Sequence, residues 1–467
     1  MSQVTREKEF QRELESGGLT GLIQDPERET ALLEGIAARV IDRAMESGAD
    51  GVKAAVSSSL GRSVTVRMGE VETLEDSRDR GLSVTVYRGR QTGSASSGDL
   101  RPETVDETVD RALAIARFTQ ADPASGLADR DLMAREFPDL DLWHPRSLSV
   151  DAMIERAREM EAAGRAADAR LTNSEGGTVS FDASVGVQAN SHGFMGTARG
   201  THFGQSCVLV AGDEAGMQRD YWWDQHRRFE DLESPEATGR EAARRTIDRL
   251  GSRRVPTGRV PVLFVPAMAR SLLGHLVSAV SGGNLYRRSS FLLDSMGKQL
   301  LPSWVQVNEK PRLLRGARSA AFDGDGLATR DNPLVADGIL ERYVLGTYSA
   351  RRLKMESTAN SGGVRNLVFE PGNRPPRELL KEMGRGLVVT EMMGQGVNLV
   401  TGDYSRGASG FWVEDGEVVW PVEEITVAGN LREMFSGLVA AGNDIDRRAN
   451  LQAPSLLVGS MMVAGQQ

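Results

Sequence analysis

The sequence predicts an α+β fold, in which an N-terminal antiparallel sheet with helices is followed by a glycine-rich, β-rich C-terminal domain. Two observations support this class. The spacing of apolar residues changes from the helical to the strand period and back within the first quarter of the chain. Farther along, short β-prone segments stand between closely spaced glycines, and 51 glycines in 467 residues indicate many turns.

The length predicts several domains, because 467 residues exceed what one hydrophobic core usually serves. Shifts in apolar spacing and a connector rich in proline and aspartate set the limits between them. We predict a polar lead-in over 1–30, an N-terminal α+β domain over 31–120, a middle domain of mixed helices and strands over 121–235, and a β-rich C-terminal domain over 236–467.

The N-terminal domain is predicted from its periodicity. Apolar residues at helical spacing predict helices over 31–47 and 104–118. Between them, apolar and polar residues alternate around 64–68 and 82–86, which predicts two strands. The order of helix, strands and helix is typical of an antiparallel sheet with helices on one face.

The middle and C-terminal parts continue the same alternation. Helical spacing predicts helices over 150–163, 234–250 and 266–280, and the β-prone passage over 171–210 predicts several strands. The apolar run at 259–265 predicts a buried strand, since it is much too short to span a membrane. The elements therefore predict that strands dominate the later part of the chain.

The most informative segment is the glycine-rich stretch from Gly394 to Asn430. Asp415-Gly416 lies between two β-prone runs and predicts a hairpin turn, because such turns need positive φ. Before it, a predicted loop brings polar side chains and bare backbone together, as a surface for an extended chain or an anion does. A tight set of β-turns is the plainer interpretation, and an ion pair within the loop that merely fixes it is another. The candidate substrate-binding residues of this loop are Gly402, Asp403, Tyr404, Ser405 and Arg406.

Charge and composition exclude several classes of protein. The net charge of −9 argues against a general nucleic-acid binder, which would need a basic face. The single cysteine, Cys207, excludes an internal disulfide and fits a reducing compartment. The chain shows neither a signal peptide nor an apolar run long enough to cross a membrane. We therefore expect a cytoplasmic protein with no nucleic-acid or membrane partner.

Other candidate sites fail on spacing. His202 and Cys207 match no common zinc pattern, and Cys207 lies in an apolar run where a thiol is usually inert. The stretch 323–325 resembles the start of a calcium loop but lacks the later glycine and glutamate, so it predicts a β-turn. Trp222-Trp223 predicts an amphipathic surface patch or an interface rather than a recognition pocket.

Several motifs resemble one known family along nearly the whole chain. In the sequence they read GVNLVTGDYSRGASGFWVEDGE at 396–417, PVEEITVAGNL at 421–431, DRGLSVTV at 79–86, DGIL at 337–340, YSARR at 348–352, GND at 442–444 and APSLLV at 453–458. Together they are similar to the TldD/PmbA family of metalloproteases, and specifically to its PmbA branch, also called TldE. The resemblance is specific because the motifs follow in the same order from about Leu32 onward.

The resemblance also shows what this chain lacks. The TldD branch carries HExxxH on a helix and a later cysteine, whereas the helix over 266–280 reads RSLLGH. Arg270 cannot ligate a divalent cation, Ser271 cannot act as a carboxylate base, and only His275 remains of the motif. The segment 443–454 contains no cysteine. We therefore expect no catalytic residue and no metal in this chain, and expect the zinc in a partner subunit.

The resemblance implies a two-component cytoplasmic peptidase. In it a TldD-type subunit carries zinc, and this chain completes the cleft for unfolded polypeptides. In the family such proteolysis removes the leader of a peptide antibiotic and degrades an antitoxin. Two alternatives stay open: a non-enzymatic binding or regulatory protein, which the family's older label "modulator of DNA gyrase" suggests, and a peptidase of another mechanism. For the last we find no pair of nucleophile and base.

Overall fold

The computed structural model describes Leu22, residues 25–213 and residues 216–465. Most of the predicted lead-in over 1–30 therefore lies outside the described residues, and its last five residues begin a helix. In chain order the elements are α1 Pro26–Glu46, β1 Gly51–Arg67, β2 Glu70–Arg88, β3 Gln91–Ser97, α2 Pro102–Phe118, α3 Val150–Arg165, β4 Asn173–Asn190, β5 Met195–Asp213, β6 Gly216–His226, α4 Pro235–Ile247, β7 Gly258–Phe264, α5 Pro266–Ala279, α6 Gly282–Tyr286, β8 Val307–Glu309, β9 Asn332–Ala336, β10 Ile339–Leu340, α7 Thr347–Leu353, β11 Leu367–Phe369, α8 Pro376–Met383, β12 Gly386–Met393, β13 Asp403–Glu414, β14 Glu417–Asn430, α9 Leu431–Ser436, β15 Leu438–Ala441, β16 Leu451–Gln452 and β17 Leu456–Ala464.

The first sheet has six antiparallel strands in the order β3-β2-β1-β4-β5-β6. Along β1, Val52, Ala54 and Val56 are buried, while Ala55 and Ser57, which alternate with them, are exposed, so only one face carries the core. Helices α1 to α4 pack on this sheet. The strands of the predicted N-terminal and middle domains thus form one sheet, and the limits of those domains stay a prediction.

The helices follow from the apolar spacing and from local caps. All five helices predicted from the sequence are present, and the α+β class is confirmed. Asp25 caps α1 by accepting from the backbone N–H of Arg28 at 3.0 Å. Ser149 caps α3 in the same way through Ala152 at 3.1 Å. The Ser149 cap explains why α3 begins at Val150, as the sequence predicts. Helix α1 begins at Pro26, five residues before the predicted start at 31, because Asp25 caps it there.

Two hairpins depend on turns with positive φ. The predicted turn at Asp415-Gly416, with φ of 52° and 77°, joins β13 to β14. Met68-Gly69, with φ of 53° and 83°, joins β1 to β2 in the same way. In both turns the second residue is a glycine, which adopts positive φ without a steric cost. The hairpin prediction at Asp415-Gly416 is confirmed.

The C-terminal part contains a small five-stranded sheet and a larger sheet that closes on itself. The larger sheet has the order β14-β13-β12-β7-β17-β15, and β14 also pairs with β17. The ring encloses a core that includes Phe264, Leu387 and Trp412. The predicted buried strand at 259–265 is β7, a central member of this sheet. Helix α5 follows directly and packs beside it.

Strand β6 of the first sheet contacts the C-terminal part. Gln218 donates to Glu423 at 2.6 Å, and Gln225 donates to the carbonyl of Arg448 at 2.6 Å. These contacts place helix α5, the motif helix that contains RSLLGH, and its surroundings close to one edge of the first sheet. Within the described part of the chain, no helix is long and apolar enough to cross a bilayer.

Candidate functional site

Helix α5 holds the altered metal motif. Pro266 stands in its first turn, where the missing N–H costs nothing, and Leu272, Leu273 and Leu276 bury one side of the helix. This arrangement fixes the direction in which the remaining, partly exposed side chains point. Those of the motif are Arg270, Ser271 and His275.

Arg270 forms an ion pair with Asp446. Its Nη2 lies 2.8 Å from the Asp446 Oδ2, and the Asp446 side chain is only 8% exposed. Arg448 binds the same carboxylate through its Nε at 3.0 Å. Two guanidinium groups hold the pKa of Asp446 below its usual range despite burial, which acts in the opposite direction. The position of the first histidine of the TldD branch is therefore occupied by a cation that already has an anionic partner.

Asp446 lies in the segment 443–454, which corresponds to the part of the TldD branch that contains the later cysteine. Arg448 in turn places its guanidinium 4.3 Å from the ring centroid of Trp222 and 4.6 Å from that of Trp223. The Arg270–Asp446 ion pair thus joins the motif helix α5 to the segment 443–454, called the late segment below. Contacts of Arg448 with the two tryptophans join the late segment to β6. The predicted patch at Trp222-Trp223 is an internal interface of this kind.

His275 keeps its imidazole in a partly buried, hydrophobic setting. Its ring lies 6.0 Å from that of Tyr404 in an edge-to-face arrangement, and its buried Nε2 has no hydrogen-bond partner among the described residues. Burial, and then the nearby charge of Arg406, lower the pKa of His275. Both effects favour the neutral form of the imidazole.

Ser271 has a local role. Its hydroxyl donates to the backbone carbonyl of Met268 at 2.7 Å within the same helix. A serine bonded in this way cannot replace the glutamate base of the family motif. Within the described ranges, no group of three or more histidine, cysteine, aspartate or glutamate residues lies close enough together to hold a metal ion. The donor set of this helix does not fit a catalytic zinc site.

The candidate substrate-binding segment 402–406 is not a loop. Apart from Gly402, with a φ of 84°, it forms the first residues of strand β13, so the loop prediction is wrong there. The reason is long-range pairing, since the segment aligns with the end of β14, as Asp403 opposite Asn430. The strand places alternate side chains on opposite faces.

The two faces of this segment have different surroundings. Asp403 is exposed and accepts from the Thr401 hydroxyl at 2.6 Å and from Asn430 at 3.3 Å. Ser405 is exposed on the same face. Asp403 and Arg406 therefore do not form the ion pair that was the alternative interpretation.

Tyr404 and Arg406 face the motif helix. Tyr404 is 1% exposed, its hydroxyl contacts the Met392 sulfur at 2.7 Å, and burial raises the pKa of Tyr404 to about 12. The Nε of Arg406 is buried without a hydrogen-bond partner in the described structure. The structure thus brings His275, Tyr404 and Arg406 together, which sequence spacing alone does not indicate because helix and strand lie far apart in the chain.

The remaining candidate sites have structural roles. Asp323 is buried and accepts from the backbone N–H of Asp325 at 2.8 Å and of Leu327 at 3.0 Å, as the predicted turn requires. Asp325 pairs with Lys53 of β1 at 3.1 Å. Cys207 is fully buried in β5, and burial raises the pKa of its thiol to about 12. Burial and the raised pKa both disfavour the reactive thiolate, in keeping with the interpretation of Cys207 as a core residue.

Comparison with known proteins agrees with these features over almost the whole chain. Three family models match: PmbA/TldA metallopeptidase domain 1 over residues 52–116, the central domain over 143–250 and the C-terminal domain over 257–465. The chain is 45% identical over 445 residues to Metalloprotease PmbA of Escherichia coli O157:H7, covering 95% of this chain and 99% of that protein. It is 42% identical over 426 residues to a Metalloprotease PmbA homolog of Haemophilus influenzae, covering 91% and 94%.

A solved structure shows the same fold. A protein from Bacteroides thetaiotaomicron, described as a candidate modulator of DNA gyrase, superposes with a TM-score of 0.88 at 27% identity. The match covers 92% of this chain and 98% of that chain. The ordered motifs, the architecture and the near-complete coverage agree, and the chain belongs to the PmbA/TldD family of metallopeptidases.

Proposed function

We propose that this chain is the metal-free subunit of a two-component zinc metallopeptidase that acts on unfolded polypeptides in the cytoplasm. A TldD-type subunit holds the zinc in this assembly. The observation that carries the proposal is the chemistry of helix α5, where Arg270 is already paired with Asp446 and Ser271 is bonded to its own helix. A catalytic zinc needs three protein ligands and a base to activate water, and His275 alone supplies neither.

The chain's own contribution is to complete the substrate cleft. Arg406 supports this role, because its guanidinium is only partly buried and has no ion pair with any described residue, so its charge is available to a carboxylate or a peptide carbonyl. The exposed side chains of Asp403 and Ser405 offer further polar contacts on the other face of β13.

Co-purification tests the assembly. The chain, tagged and expressed from its own chromosomal locus, should recover a second subunit that carries HExxxH, in a one-to-one ratio determined by quantitative mass spectrometry. Recovery of the chain without such a subunit, under conditions where both are expressed, would contradict the proposal. It would favour the non-enzymatic binding or regulatory role.

The isolated chain should not retain stoichiometric zinc. One imidazole from this helix gives too few ligands for tight binding, and the motif's other positions hold a cation and a hydroxyl. The measurement is elemental analysis after dialysis against zinc and then against zinc-free buffer. About one zinc per chain, lost in His275→Ala but kept in a His144→Ala control, would show that the helix does form a metal site.

Substitution of Arg406 should lower turnover by the assembled peptidase. Arg406→Gln removes the charge and most donors on the side of His275, and we expect about a tenfold loss in kcat/KM with complex formation retained. Asp403→Asn is the matched comparison on the opposite face of β13. Its effect on kcat/KM should be smaller, because the exposed hydrogen bonds of Asp403 with Thr401 and Asn430 mainly hold the chain where β13 begins. A lower melting temperature for Arg406→Gln with unchanged turnover per folded complex would make Arg406 structural.

A further inference from the structure

Strand β2 has a long open edge. Strand β3 pairs with β2 only over 82–88, so the preceding stretch 70–81 has no neighbour strand on that side within the described part of the chain. Residues 70–79 are all exposed, and they include Val71 at 43% and Leu74 at 46%. An edge of this length presents a row of unpaired backbone donors and acceptors, which is a template for another strand.

The opposite edge of the same sheet is covered. Strand β6 contacts the C-terminal part through Gln218 and Gln225, and α4 packs against it. The fold therefore protects one edge of the first sheet with its own chain and leaves the other partly open. The opening is a specific feature of β2 rather than a general property of the sheet.

The open edge is held in a fixed conformation. Glu161 of α3 is 1% exposed, and its two carboxylate oxygens accept from the backbone N–H groups of Met68 at 2.7 Å and Gly69 at 2.8 Å. Arg158 of the same helix donates to the carbonyl of Gly69 at 3.1 Å. A buried carboxylate thus anchors the turn at which β2 begins. A strand fixed in this way loses little conformational entropy when it pairs with another chain.

The charge of the edge selects what it can bind. The stretch 70–81 carries five acidic side chains and two basic ones, Arg78 and Arg80, of which Arg80 pairs with Glu29. Glu72 and Asp76 are paired with arginines of β1, whereas Glu70, Glu75 and Asp79 have no ion pair with any described residue. A second copy of this chain, paired through the same edge, would bring these carboxylates close to one another, which is unfavourable. A strand that carries positive side chains is complementary to them.

We propose that the open edge of β2 binds an extended segment of a polypeptide substrate that carries lysine or arginine, as an added strand. That the bound chain is a substrate rests on the proposed function, whereas the binding step needs neither zinc nor the partner subunit. Backbone hydrogen bonds provide affinity for extended chains of many sequences, and the unpaired carboxylates favour basic ones. The site would hold an unfolded chain at a distance from the motif helix.

A direct binding experiment tests this inference on the full chain without a partner. The probe is a fluorescein-labelled peptide that alternates lysine and threonine over the length of the open edge, followed by fluorescence anisotropy at low salt. We expect saturable binding and slower amide hydrogen exchange at 70–81. The same peptide, N-methylated at every second residue and made in both registers, should bind about tenfold more weakly in one register, because it loses the backbone donors that face the edge.

Protein variants separate charge from folding. Glu75→Gln combined with Asp79→Asn should weaken binding by roughly threefold to tenfold. Glu103→Gln combined with Glu107→Gln on the exposed face of α2 makes the same change in net charge and should leave binding unchanged. A glutamate–threonine peptide should bind far more weakly than the lysine peptide.

Three outcomes would overturn the inference: no saturable binding of the lysine peptide, equal binding of the N-methylated peptides in both registers, or protection that excludes 70–81. Because these measurements need no turnover, they can fail while the two-component peptidase is confirmed. They can equally succeed if the peptidase proposal fails, in which case the edge is a site for basic peptides in a non-enzymatic protein.

Discussion

Replacement of Asp446 by asparagine should lower the free energy of unfolding by about 3 kcal/mol. The carboxylate is almost fully buried and serves two cations, Arg270 at 2.8 Å and Arg448 at 3.0 Å. The neutral amide of the variant would leave both guanidinium groups without an anion in a partly desolvated place. The measurement is urea unfolding followed by tryptophan fluorescence, since Arg448 lies against Trp222 and Trp223.

This contribution should depend on pH with a defined sign. The folded pKa of Asp446 is lowered, so its stabilisation is fully present above the unfolded-state value of about 3.9 and is lost as the pH falls through the folded pKa. The difference between wild type and Asp446→Asn should therefore shrink in acid. As a control, Glu382→Gln breaks the exposed pair with Arg374 and should cost less than about 1 kcal/mol. Equal losses for the two variants would mean that the Asp446 cluster does not join the motif helix to the late segment.

Replacement of Glu309 by glutamine should cost about 3–5 kcal/mol, the largest effect of a single substitution that we expect. Its side chain is 4% exposed and forms an ion pair with Arg342, whose side chain is 8% exposed. It also accepts from the Asn360 amide at 2.9 Å and from the backbone N–H of Arg365 at 2.7 Å. The uncharged side chain of the variant would leave the buried guanidinium of Arg342 without its counter-charge.

Glu370 offers the matched comparison in the same region. It pairs with Lys310 at 2.7 Å, but both side chains are about one-third exposed, so Glu370→Gln should cost less than about 1 kcal/mol. Both variants are compared by their urea midpoints and by amide exchange at 360–366. If Glu309→Gln were as stable as Glu370→Gln, the network around Arg342 would not hold these segments in place.

The local parts of the fold were predictable from the sequence. Asp415-Gly416 requires positive φ whatever surrounds it, and the apolar stripes of α1 to α5 fix the side that each helix buries. The joining of strands from the predicted N-terminal and middle domains into one sheet was not predictable, because pairing of β1 with β4 links residues more than a hundred positions apart. Periodicity carries no information about such partners.

The candidate site shows the same limit. The sequence singles out Arg270, His275 and Arg406, but it cannot show that Arg270 contacts Asp446, which lies 176 positions later. In the segment 443–454 the resemblance draws attention only to the missing cysteine. No sequence pattern marks Asp446 as a partner of the motif helix. The glycines around 402–406 predict a loop, yet pairing with β14 makes this segment a strand. Contacts between distant parts of the chain therefore determine both the partner of Arg270 and the strand conformation of 403–406.

The central claim is that this chain supports peptide cleavage without holding the metal. The most direct measurement is cleavage of an unfolded peptide, followed by mass spectrometry, by this chain alone, by an HExxxH-bearing relative from the same cell alone, and by the two together. We predict no turnover by this chain alone and chelator-sensitive turnover by the mixture, because only the partner supplies metal and base. Chelator-sensitive cleavage by this chain alone, at a rate that the partner does not change, would contradict the account.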